Sequence, residues 1–206
     1  MEKRYQVFVS STYEDLQFER QEVMHALLEL DCIPSGMELF PAANEDQWTV
    51  IKKVIDDCDY YIVITAGKYG SVDEHGQSYT EKEYRYAMSK NKPIIAFLYK
   101  DLPSLASKLT ESDSTTKERL EQFRALCKGK LCKFWTSKAE LGSVVSRSLV
   151  QLIKNHPAVG WVRGGLLPNF PPIISRVRRL FGPFRGGSLV VVVSCSSQFF
   201  RPSFTL

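Results

Sequence analysis

The chain has 206 residues, 44% of them apolar and 12% aromatic, which is enough to bury one core and rules out a disordered or collagen-like chain. Lys and Arg number 27 against 23 Asp and Glu, but residues 164–206 hold five Arg (Arg176, Arg178, Arg179, Arg185, Arg201) and no acid, so the pI near 8.7 belongs to that end. A basic footprint for nucleic acid across the remainder is not supported.

The first residues lead into an apolar run of only Val7, Phe8 and Val9, far short of a signal-peptide core. The longest aliphatic run, residues 189–193, is well below the roughly 20 apolar residues of a membrane helix. The expectation is a cytoplasmic protein with no membrane partner. Cys32, Cys58, Cys127, Cys132 and Cys195 are widely spaced and contain no C-x-x-C pair, which fits reduced thiols rather than disulfides or zinc.

Residues 5–10, YQVFVS, read as a strand, followed by a loop and a helix whose apolar stripe is Leu16, Val23, Leu27 and Leu30. Thr12 and Asp15 have the spacing of a capping box for that helix. Residues 33–40 suggest a second strand interrupted by Pro34 and Gly36, and Asn44 then caps a helix with the face Trp48, Ile51, Val54 and Ile55. Residues 60–65, YYIVIT, are apolar without alternation, as in a central parallel strand covered on both faces.

A loop with Gly67, Gly70 and Gly76 runs to Thr80, the expected cap of a helix through Glu83 and Ala87 to about Lys90. Pro93 opens the strand IIAFLY, residues 107–117 read as a surface excursion, and a helix follows at about 117–127. A fifth strand at 131–135 and a helix at 139–154 complete the pattern. Five strands alternating with helices specify an α/β fold, a flavodoxin-like doubly wound five-stranded parallel sheet. The domain is expected to span residues 1–163. Residues 164–206 hold five of the ten prolines and five of the twelve glycines and are expected to be a tail rather than a second domain.

Open parallel sheets bind ligands beyond the carboxyl ends of their strands. The loop after the first strand is Ser-Ser-Thr, with neither a G-x-G-x-x-G nor a G-x-x-x-x-G-K-[ST] pattern, which removes dinucleotide oxidoreductases and P-loop NTPases. Thr65 ends the third strand where a phosphorelay receiver needs Asp. Ser10, Ser11 and Thr12 either cradle an anion or sugar at a helix N-terminus or simply cap that helix. Glu83 and Ala87 share one helix face, so a small residue leaves room beside a carboxylate, while Glu81 points elsewhere. A solvated helix face fits Glu81 and Lys82. His25, His75 and His156 are scattered and suggest no catalytic relay or metal site.

In their order along the chain, VFVSST, YEDLQFER, GMELF, DCDYYIVITAGKYGS and SYTEKEYRYA resemble a TIR-like family of domains of unknown function found N-terminal to NACHT/STAND-type NTPases. That family is similar to TIR domains and nucleoside deoxyribosyltransferases. The resemblance implies Glu83 as catalytic residue, acting at the base–ribosyl bond of a nucleotide such as NAD, which enters as substrate, with no cofactor. It further implies a nucleotide or ribose site of Ser10, Ser11, Thr12, Gly67, Tyr69, Gly70, Ser78 and Tyr79. Arg20, if buried, needs a carboxylate, and Glu38 or Glu83 could supply it. Two expectations follow. One is an N-glycosyl hydrolase or transferase in immune-type signalling, and the other is a silent adaptor that self-associates or docks on an NTPase module.

Overall fold

A computed structural model describes residues 2–36 and 47–163. Five parallel strands are β1 (Gln6–Ser11), β2 (Ile33–Ser35), β3 (Tyr60–Thr65), β4 (Ile94–Tyr99) and β5 (Cys132–Trp135), in the order β2-β1-β3-β4-β5. This is the expected doubly wound sheet. The helices are α1 (Gln17–Glu29), α2 (Gln47–Asp57), α3 (Tyr79–Ser89), α4 (Ser114–Lys128) and α5 (Lys138–Asn155).

Alternation along each strand divides the core into two layers. Val7 and Val9 of β1, with Tyr60, Ile62 and Ile64 of β3, meet Leu16, Val23 and Leu27 beside α5 residues Leu141, Val145, Leu149 and Leu152. On the other face Phe8, Tyr61, Val63, Ala96 and Leu98 meet α2, α3 and α4 through Ile55, Tyr84, Ala87, Leu120 and Phe123. Register fixes the pairs that matter below: Phe8 lies opposite Tyr61, and Ser10 opposite Val63. Pro34 is tolerated because β2 is an edge strand paired only to β1.

Several local expectations are corrected. The Thr12/Asp15 pattern does not cap α1, which starts after Leu16 with no side-chain cap bond. Thr80 lies inside the first turn of α3, and Ser78 is the N-cap residue. Helix α4 begins at Ser114, earlier than expected, because the Asp113 carboxylate accepts from the Thr116 amide at 2.8 Å. Of the expected second strand, residues 37–40, Glu38 among them, lie outside the described residues, as do the Asn44 cap and the 164–206 tail.

Arg124 joins the ends of two strands from within the core, donating to Tyr99 O at 2.7 Å, Thr65 Oγ1 at 3.3 Å and Ala66 O at 3.5 Å. Cys32, Cys58, Cys127 and Cys132 are free thiols. Burial pushes Cys58 and Cys127 up to about 12, so neither supplies a thiolate at neutral pH. Among the described residues no helix is long and apolar enough to cross a membrane.

Candidate active site

Helices α1 and α5 cover one face of the sheet and α2 to α4 the other, so a crevice opens at the carboxyl ends of β1 and β3, where the crossovers diverge. It holds a cavity of about 410 Å³ lined by Phe8, Val9, Ser10, Ser11, Tyr13, Arg20, Gln47 and Glu83. Among the described residues four elements contribute: β1 with its following turn, α1, the start of α2, and α3.

Glu83 reaches the cavity because Tyr84 and Ala87, both fully buried, clamp α3 to the sheet. The residue is only 7% exposed. Ser10 lies on the same sheet face as Phe8, and its hydroxyl donates to Glu83 Oε2 at 2.5 Å. A hydrogen bond to a carboxylate is both short and orienting. Arg20, also buried, lies along the turn after β1, with Nη1 donating to Ser11 Oγ at 2.7 Å and Nη2 to Val9 O at 3.2 Å. The guanidinium thus satisfies the strand end and brings a positive charge into a cavity that also holds Glu83.

Of the residues expected at the site, Ser10, Ser11, Arg20 and Glu83 meet in the cavity, and Glu38 lies outside the described residues. Thr12, Gly67, Tyr69, Gly70, Ser78 and Tyr79 are not in its lining. Gly67 packs directly on the Leu109 carbonyl, leaving no room for a Cβ. Gly70 has φ +88°, and a Cβ there would lie 2.6 Å from Thr12 Cγ2, so glycine lets the loops after β1 and β3 touch. Tyr69 is buried, and its hydroxyl donates to Glu81 Oε2 at 2.6 Å. Glu81 is therefore not a solvated side chain, since Arg85 Nε also donates to it at 2.7 Å. Tyr79 lies beneath the Lys82 ammonium, 5.8 Å from its ring centroid, and Lys82 pairs with Asp73.

Phe8, Val9, Tyr13 and Gln47 are lining residues that the sequence did not single out. For Tyr13 a signal existed, namely an aromatic directly after a strand-end hydroxyl run; its ring is exposed at the cavity. Among the described residues no group of His, Cys, Asp and Glu could hold a metal ion.

Asp15 lies in the turn between β1 and α1. Among the described residues neither of its carboxylate oxygens makes a hydrogen bond of good geometry, and nor does the Thr12 hydroxyl beside it. Burial pushes the carboxyl above its ordinary value of 3.8, with Thr12, the local backbone and Lys68 opposing. The folded state therefore holds the Asp15 proton to higher pH than the unfolded chain does, and stability falls as pH rises through that interval. Asp15→Asn is expected to flatten that decline and raise the melting temperature at neutral pH, as read by thermal melts from about pH 4 to about pH 7. An unchanged pH dependence would show that Asp15 is ordinarily solvated.

The sequence profile described as Domain of unknown function (DUF4062) matches residues 6–150. The chain belongs to this family. Among solved structures, this DUF4062 chain is similar to the TIR domains of the activated Roq1 resistosome that directly recognizes the pathogen effector XopQ. That match has TM-score 0.51 and 12% identity, and covers 70% of this chain and 99% of the other. It is also similar to the Clostridium botulinum CMP N-glycosidase BcmB, with TM-score 0.44 and 12% identity, covering 69% of this chain and 98% of that one. At such identity the likeness to TIR domains is one of fold. No curated protein sequence matches the DUF4062 chain.

Proposed function

We propose that this TIR-like domain is an N-glycosyl hydrolase or transferase that breaks the base–ribosyl bond of NAD or a related nucleotide. The observation that carries this reading is Glu83, a buried carboxylate oriented by the Ser10 hydroxyl at the wall of a crevice cavity. In such a reaction the C1′–N bond breaks and its electron pair leaves with the base. The ribose becomes oxocarbenium-like, and a fixed anion in a partly dehydrated cavity stabilises that charge or bonds to C1′. Water or an acceptor hydroxyl then adds to C1′, displacing the carboxylate where it has bonded there, and its proton passes to solvent or, for a neutral nucleoside, to the departed base. Ser10 and Ser11 line the cavity with Glu83, and Arg20 contributes positive charge on the side toward α1. In a cell the domain would act as a signalling or defence effector alongside an NTPase module.

The test is direct. Incubation of the protein at high concentration with NAD, and separately with nucleosides and CMP, is expected to release free base, followed by chromatography. No release from any of them would leave the adaptor reading, in which the fold serves self-association or docking.

A further inference from the structure

Two aromatic side chains, Phe8 and Tyr13, line the cavity with Glu83. Phe8 is 1% exposed, and its ring is already stacked on Tyr61 at 5.5 Å between centroids with planes 13° apart. Tyr13 is the opposite case. It stands in the turn after β1, is 58% exposed, and among the described residues neither another ring nor an ammonium packs on it. The tyrosines expected at the site from the sequence are engaged elsewhere, Tyr69 with Glu81 and Tyr79 beneath Lys82. A lone exposed aromatic is ordinary on a convex surface, but on the wall of a concave cavity it is apolar area that a ligand can cover.

The lining is graded from buried to open. Glu83 and Ser10 are buried and hydrogen-bonded to each other, whereas Tyr13 and Gln47 are exposed. Tyr13 is three residues past Ser10, which keeps its Cα within about 11 Å of the Ser10 Cα. A nucleotide with C1′ at Glu83 carries its base one bond away from that carbon. A base directed toward the open end can leave while the sugar stays on the carboxylate, and the ring that lies there is Tyr13.

We propose that Tyr13 is the base-stacking residue of this site, its ring packing flat on the leaving base of a nucleotide whose C1′ lies at Glu83. The ligand class is a ribosyl group bearing a planar heteroaromatic base, pyrimidine, purine or pyridine alike, because every base has a π-face. The stack forms on binding and persists while the C1′–N bond breaks, so it stabilises bound substrate and transition state equally. The kinetic consequence rests on the N-glycosyl reading, whereas the stacking itself requires only that a nucleotide binds.

The test uses the full chain labelled with ring-¹³C tyrosine, the Tyr13 signal being identified by its loss in Tyr13→Phe. The probes are CMP, NAD and pseudouridine 5′-phosphate, whose C–C bond to ribose resists N-glycosyl cleavage, with ribose 5-phosphate as the probe that lacks a base. Base-bearing probes are expected to move the Tyr13 signal upfield by the ring current of the stacked base, and ribose 5-phosphate to leave it in place. Tyr13→Ala should weaken their binding about tenfold and Tyr13→Phe by no more than about twofold. Where base release is measurable, Tyr13→Ala should raise KM about tenfold with kcat within about twofold. A Tyr13 signal unmoved by all three base-bearing probes, a signal moved equally by ribose 5-phosphate, or unchanged affinity in Tyr13→Ala overturns the proposal. Binding with the Tyr13 shift but without base release counts against the N-glycosyl reading and upholds the stacking, and base release with an unmoved Tyr13 signal does the reverse.

Discussion

Glu83→Gln is expected to lower kcat for base release about 10³-fold, which corresponds to about 4 kcal/mol of lost transition-state stabilisation. The amide keeps the volume of the carboxylate and can still accept from the Ser10 hydroxyl. What disappears is the negative charge facing the developing oxocarbenium. Substrate binds before that charge develops, so KM should move much less than kcat. Glu83→Asp retains the anion but withdraws it by one methylene, and a displacement of this kind should cost about 10²-fold. Steady-state rates by chromatography of the free base, alongside superimposable circular dichroism melts, check both. Equal release by Glu83→Gln and the unaltered protein would remove Glu83 from the mechanism.

Patterns confined to a few neighbouring residues made much of the fold legible. The apolar run of β3 is buried at every position, as expected of a strand covered on both sides. The last helix, expected at 139–154, is observed at Lys138–Asn155, one residue longer at each end, with the Ser137 hydroxyl accepting from the Glu140 amide at its start. Local patterns failed where a distant group claimed the same atoms. Ser11 has the residue type of a helix cap, yet its hydroxyl donates to the Thr12 carbonyl and accepts from Arg20, so α1 starts later. Glu81 has the spacing of a solvated face, yet Tyr69, twelve residues earlier, draws it inward.

The candidate site follows the same division. That Glu83 and Ala87 share a helix face is a matter of helical period, readable without coordinates. That Ser10 meets Glu83 depends on two elements 73 residues apart docking on the same side of the sheet. Gln47 carries no local mark at all, and it becomes relevant only when strand order β2-β1-β3 sets β1 in the middle, beside the start of α2.

That dependence of chemistry on packing gives the second large effect. Tyr84 is fully buried between sheet and α4, edgewise to Phe123 at 5.6 Å and to Tyr61 at 6.3 Å. Truncating a buried aromatic removes its transfer energy and leaves a cavity, so Tyr84→Ala should cost about 3–5 kcal/mol. Against a typical domain stability of about 5–15 kcal/mol this is a large share. Denaturant melts should show a reduced midpoint with an unchanged slope, since the surface exposed on unfolding is almost the same. Tyr84→Phe should behave differently. Among the described residues the Tyr84 hydroxyl makes no hydrogen bond, so its loss should be neutral or slightly stabilising. Glu83 immediately precedes Tyr84 on α3, so any rotation of the helix into the cavity left by Tyr84→Ala moves the carboxylate off Ser10. Base release by Tyr84→Ala should therefore fall even well below its melting temperature, whereas Tyr84→Phe should retain it. If Tyr84→Ala keeps full activity while losing stability, α3 is held in place by Ala87 and its other contacts, and the Glu83 position does not depend on this ring.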